Sequence, residues 1–87
     1  MYQVQIEEEA KKALARIHPT YKEKIKEKIY SLGHNPFPPA SKKLKGLDSD
    51  FHCLRVSQYR VIYEVIEEEI LVLIVKIGHR KDVYRNI

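Results

Sequence analysis

Residues 51–77 read FHCLRVSQYRVIYEVIEEEILVLIVKI, and this stretch decides the fold. Phe51–Val56, Tyr59–Ile66 and Ile70–Ile77 are dense in β-branched, aliphatic and aromatic residues, the mark of strands. Ser57-Gln58 and Glu67-Glu68-Glu69 stand between them and are short enough to be hairpin turns. Three strands joined this way form an antiparallel meander. The last is almost wholly aliphatic, which predicts an interior strand buried on both faces.

Upstream of the meander, His34 to Asp50 shows no period. It holds Pro36, Pro38 and Pro39 and then a lysine cluster, and reads as a loop of the length that often carries function. Before it, Tyr21, Ile25, Ile29 and Leu32 make the stripe of a helix that Gly33 ends. Thr20 with Glu23 has the form of a capping box for that helix. Ala10, Ala13, Leu14 and Ile17 mark an earlier helix, which Pro19 interrupts. Glutamates 7–9 sit at its positive end, where the helix dipole favours them. Tyr2, Val4 and Ile6 alternate with polar residues as a short strand does. The order predicts an α+β fold, with an N-terminal strand and a two-helix antiparallel hairpin packed on a mainly antiparallel sheet of about four strands. At 87 residues the chain has room for a single domain, 1–87.

Composition removes several classes. The longest apolar run, Ile70 to Val75, falls far short of the roughly 20 residues of a membrane-spanning helix. The amino terminus is acidic and lacks the basic start of a secretory signal. One cysteine, Cys53, builds neither a disulfide framework nor a zinc cluster. A cytoplasmic protein without membrane contact is expected. Sixteen basic residues against 12 acidic ones give a net charge of +4. Glu7–Glu9 and Glu67–Glu69 hold half of the acids, which leaves Lys22–Lys28, Ser41–Lys45 and His79–Arg85 strongly basic. Such unevenness builds either a basic face for an anionic partner or ordinary solvated surfaces.

Arg55 and Arg60 flank the first tight turn, and Arg80 follows the last strand. Arginine suits phosphate because its planar fork donates paired hydrogen bonds. Each also has a plain alternative partner in Glu64, Asp82 or the Glu67–Glu69 turn. The histidines 18, 34, 52 and 79 lack metal-pair spacing, so no metal site is expected. His18 and His34 read as loop or cap residues, and His52 as a residue against the core or a sheet edge. His79, in a basic run, has the ring to shuttle a proton. Tyr84, among arginines and without a period to bury it, suits base stacking, or else anchors the tail to the sheet. Cys53 reads as a half-buried inert thiol.

Three segments together resemble the RelE/ParE superfamily of small toxins from toxin–antitoxin pairs. They are Lys42-Lys43-Leu44-Lys45-Gly46-Leu47, then Leu54-Arg55-Val56 followed by Tyr59-Arg60-Val61-Ile62-Tyr63-Glu64-Val65, and Gly78-His79-Arg80-Lys81-Asp82-Val83-Tyr84. The resemblance spans essentially the whole chain. It implies a RelE-like messenger RNA endoribonuclease acting on the ribosome, without metal or other cofactor, by 2′-hydroxyl attack on the adjacent phosphodiester. It also implies a cognate antitoxin as partner, with DNA met only indirectly through the antitoxin complex. Carried over by position, Arg55, Arg60, His79, Arg80 and Tyr84 form the catalytic set. Lys42, Lys43, Lys45, Lys81 and Arg85 are the expected contacts to RNA and ribosome. One departure stands out: where RelE-like proteins alternate two lysines on the strand before the Tyr-Arg pair, this chain has Phe51 and Cys53. The general base is therefore unassigned. Two alternatives share the resemblance: a ParE-like gyrase inhibitor without enzymatic activity, and a degenerate member that binds only its antitoxin.

Overall fold

In the computed structural model, which describes residues 1–44 and 51–83, hydrogen bonding defines β1 (Gln3–Ile6), α1 (Glu8–Ala15), α2 (Pro19–Ser31), β2 (Ser41–Lys43), β3 (Phe51–Val56), β4 (Tyr59–Ile66) and β5 (Leu71–His79). The strands form one five-stranded sheet in the order β1-β5-β4-β3-β2. All neighbours are antiparallel except β1 and β5, which run parallel and make the sheet mixed. The fifth strand is β2, which falls inside the expected loop. Its three residues have no hydrophobic alternation, and their strand form comes from tertiary pairing of Lys42 with Cys53 and of Lys43 with His52.

Both helices cover the same face of the sheet, α1 against β5 and α2 against β3. Ala10 and Leu14 of α1 and Ile25 and Ile29 of α2 are buried against Leu54, Val61, Tyr63, Val72 and Ile74. Pro19 begins α2 instead of merely breaking α1. A missing N–H costs nothing at the first helical position, where that donor has no partner anyway. The cap is His18, whose Nδ1 accepts the Thr20 N–H at 3.2 Å, so the Thr20–Glu23 capping box does not form. Gly33 follows the helix end for a reason of space: a Cβ there would lie 2.9 Å from the Tyr2 carbonyl oxygen. That closeness lets the Gly33 carbonyl accept the Tyr2 N–H at 2.8 Å and tie the helix end to β1.

The meander departs from expectation in two places. Glu67–Glu69 form a single 3₁₀ turn, and Ile70 leaves the last strand by adopting a positive φ of 50° and exposing its side chain. In β5 the register slips beside Ile62 and Tyr63, which pair with Lys76 and Ile74 and leave Val75 as an extra residue. Val72, Ile74 and Ile77 thereby all reach the helix-side core, while Val75 packs on the other face. The strand is interior, as its composition predicts, yet helices cover only one of its faces. Among the described residues no helix is long and apolar enough to cross a membrane.

Candidate functional site

The sheet face away from the helices carries the candidate site. Residues paired across an antiparallel ladder share a face, and neighbours along a strand alternate. The Arg55↔Arg60 and Arg60↔Gly78 pairs therefore make one row of that face, and Lys42↔Cys53, Cys53↔Ile62 and Ile62↔Lys76 make the next. Two arginines side by side are flanked by a lysine at each end of the adjoining row. Arg55, Arg60, Cys53, Lys42, Ser41 and Leu44 border an open groove of about 500 Å³ along β2 and β3.

Local structure fixes these cations differently. Arg60 is half-buried, and its Nη1 donates to the carbonyls of Ser57 at 3.0 Å and Tyr59 at 2.9 Å, which lays the guanidinium along the β3–β4 turn. Ser57 takes a positive φ of 56° there, as the first residue of a tight two-residue hairpin turn does. Arg55 is exposed, and its backbone N–H donates to the Ala40 carbonyl at 3.0 Å. Arg80 is exposed at the same end of the sheet, where its N–H donates to the Gln58 carbonyl at 2.8 Å. The ion pairs of the helices join Lys11 to Glu8, Lys12 to Glu9 and Lys26 to Glu23, and none of these involves Arg55, Arg60 or Arg80.

A small second core closes over this face. Val83 is buried against Cys53 and Ile62, with Leu44, Phe51 and Val75 around them. The turn leading to it is capped by His79, whose carbonyl accepts the N–H groups of Asp82 at 2.8 Å and Val83 at 2.9 Å. Its Nδ1 accepts the Lys81 N–H at 3.1 Å.

Strand alternation divides the remaining expected residues. Lys42 joins the arginine face, whereas Lys43 pairs with His52 on the opposite side and lines a separate cavity of about 340 Å³ with Glu67 and Glu68. His79 pairs with Tyr59, so it too lies on the helix side. Lys81 is exposed in the turn after β5. Lys45, Tyr84 and Arg85 lie outside the described residues. His52 belongs to the core, stacked on Tyr63 with ring centres 5.5 Å apart and next to Phe37 at 5.1 Å. The Tyr63 hydroxyl donates to the Pro36 carbonyl at 2.6 Å, and burial pushes its phenol pKa up, with a smaller lowering from a hydrogen bond to Ser41. Lys76 was not among the expected residues. Its signal is a lone lysine in an otherwise aliphatic strand, a residue that a strand buried on both faces does not accommodate. Among the described residues no three metal-ligating side chains cluster.

Comparison with known proteins gives this geometry a context. Residues 4–84 match the family model for the ParE toxin of the type II toxin–antitoxin system parDE. The mRNA interferase toxin RelE of Escherichia coli K12 is 31% identical over 81 residues, covering 92% of this chain and 84% of that protein. A chain of the archaeal RelE–RelB complex from Pyrococcus horikoshii superposes with a TM-score of 0.82 at 28% identity, over 94% of this chain and 98% of that one. A chain of the intact E. coli RelBE toxin–antitoxin complex gives a TM-score of 0.74 at 31% identity, over 91% and 96%.

Proposed function

Because the chain belongs to the RelE/ParE superfamily as a RelE-like toxin of a toxin–antitoxin system, we propose that it is an endoribonuclease that cuts messenger RNA on the ribosome in the cytoplasm. The observation that carries this reading is the Arg55↔Arg60 pair on the helix-free face, with Arg80 at the same end of the sheet. Like charges directly opposite one another destabilise a ladder. An arrangement of this kind gains most when an anion lies between them.

The reaction is attack of a ribose 2′-oxygen on the neighbouring phosphorus. A bond forms from the 2′-oxygen to phosphorus as the bond to the departing 5′-oxygen breaks. The 2′-hydroxyl loses a proton, the 5′-oxygen gains one, and the products end in a 2′,3′-cyclic phosphate and a 5′-hydroxyl. Arg60 and Arg80 stabilise the charge that develops on the phosphoryl oxygens, and Arg55 anchors the strand. None of the three serves as the base, since a guanidinium stays protonated. Lys42 and Lys76 extend the positive field along the backbone of a single strand, and Tyr84 stacks on a base. With so spare an inventory, alignment of the 2′-oxygen with the scissile bond comes from the ribosome, and such positioning is worth about 7–11 kcal/mol.

The relatives crystallised with RelB support a cognate antitoxin for this chain as well. It would cover the arginine face with acidic and apolar residues, and DNA would be reached only through that complex.

Defined RNA with and without programmed ribosomes tests the reading. Cleavage is expected on ribosomes only, and Arg80→Ala should lower its rate a hundred- to a thousand-fold, equivalent to about 2.7–4 kcal/mol. The ParE family match supports a second reading, inhibition of gyrase without cleavage. Inhibition of DNA supercoiling by a protein that leaves RNA intact would replace the first reading with that one.

A further inference from the structure

We propose that His79 is a positioning residue that holds the turn setting Arg80, and not the group that moves the proton. Its activity test rests on the ribonuclease reading above, whereas its structural test does not.

The backbone is tied on both sides of the Arg80 Cα. Before it, the Arg80 N–H donates to the Gln58 carbonyl at 2.8 Å. After it, three successive N–H groups converge on His79: Lys81 on Nδ1 at 3.1 Å, and Asp82 and Val83 on the carbonyl oxygen at 2.8 and 2.9 Å. A neutral imidazole that accepts at Nδ1 carries its proton on Nε2. The Nδ1 lone pair is thus engaged by the backbone, and Nε2 has none to offer a 2′-hydroxyl. The ring also stands on the wrong side for proton transfer. His79 pairs with Tyr59, while Gly78 pairs with Arg60, so alternation puts the imidazole and the arginine pair on opposite faces.

What the ring touches explains why it is a histidine. It meets Tyr59 edge-on, with centres 5.9 Å apart and planes at 76°, and Tyr59 in turn lies 5.5 Å from Tyr21 of α2. This aromatic ladder runs from the helix across β4 to the turn. An asparagine would supply the same acceptor without the ring, and a phenylalanine the ring without the acceptor. Histidine supplies both, and thereby fixes the backbone from which the Arg80 side chain departs.

The test compares variants that separate acceptor geometry from proton transfer. The amide oxygen of His79→Asn hangs from Cγ, as Nδ1 does, whereas that of His79→Gln sits one atom further out, near the place of Nε2. Cleavage on programmed ribosomes is expected to stay within about tenfold for His79→Asn. His79→Gln and His79→Ala should fall as far as Arg80→Ala, and the His79→Ala/Arg80→Ala double variant should fall little further. Non-additivity of this kind marks two residues acting as a unit. Tyr59→Phe should keep the rate and Tyr59→Leu lower it. In parallel, hydrogen exchange at the Lys81 amide should be slow in the parent and in His79→Asn and fast in His79→Gln. If His79→Asn is as inactive as His79→Gln while its Lys81 amide stays protected, the proposal is overturned and the imidazole transfers the proton. If the parent cuts no RNA, the ribonuclease reading fails by itself, and Lys81 exchange still decides the cap: fast exchange in the parent protein would overturn it.

Discussion

Two arginines paired directly across a ladder, as Arg55 and Arg60 are, make an arrangement that stability alone does not favour. Arg60 is anchored by two turn carbonyls, so Arg55 is the member whose removal leaves the turn intact. Arg55→Ala should therefore hold or slightly raise the melting temperature, by the equivalent of about 0.2–1 kcal/mol, while cleavage on ribosomes falls. Thermal unfolding and cleavage measured on the same preparation check it; a lower melting temperature with full activity would make Arg55 a structural residue. Tyr63 shows the opposite balance. Its hydroxyl is committed to the buried Pro36 carbonyl, and burial raises its phenol pKa. An acid whose folded pKa is raised favours the neutral form. Its contribution is complete below the unfolded value of about 10 and is lost as pH climbs through the higher folded value. The melting temperature should thus begin to drop as pH rises past about 10. Tyr63→Phe should flatten the drop and cost about 1–3 kcal/mol at neutral pH, because the Pro36 carbonyl is left without a donor.

At the scale of elements, β2 shows how a strand sorts its cations. Lys42 and Lys43 are adjacent in sequence, yet pairing with Cys53 and His52 sends them to opposite faces. Lys42→Gln should weaken binding to ribosomes or RNA and reduce the slope of log affinity against log salt by roughly 0.7–0.9. Lys43→Gln should leave that slope unchanged. Titrations at several salt concentrations distinguish them, and equal effects would remove the alternation argument. The same strand marks what a sequence can reveal. The meander is legible because its strands are dense in β-branched, aliphatic and aromatic residues between short turns. Both helices and β1 are legible because periods of 3.6 and 2 are written in their apolar residues. The three residues of β2 carry no such period, so only their partner strand makes them a strand. The bulge at Val75 is hidden for a related reason: in an unbroken aliphatic run, every position satisfies either face. Of the candidate site, the arginines are legible from their places beside turns. The division of 42 from 43, and of 79 from 60, depends on register, which single residues do not express. Lys76 was legible in principle as the one charge in an aliphatic strand.

For the whole molecule, the two faces of one sheet have unequal insurance against loosening. The helix side is sealed by residues from both helices and from β3, β4 and β5, whereas the other face is closed by the small cluster around Val83. Val83 approaches Gly78 in ordinary van der Waals contact, its Cβ 3.7 Å from where a Gly78 Cβ would stand. It is thus the clasp that holds the turn after β5 onto the arginine face. Replacing it by a charge removes one buried aliphatic side chain, worth about 1.5–3 kcal/mol, and undocks the turn without opening the larger core. Val83→Asp should therefore keep a cooperative unfolding transition at a lower temperature. Hydrogen exchange should accelerate for residues 81–83 and stay slow for Val61, Val72 and Ile25, because local opening and global unfolding have separate free energies. Cleavage should fall much further than the loss of folded protein explains, since Arg80 is set by the turn that comes loose. Val83→Ile, which refills the cluster, should restore most of the rate. If Val83→Asp loses protection uniformly across the sheet, the two faces unfold as one and the clasp has no separate existence. If protection is lost only at 81–83 while cleavage is unchanged, the turn does not govern the arginine, and the link from Val83 through His79 to Arg80 is broken at its last step.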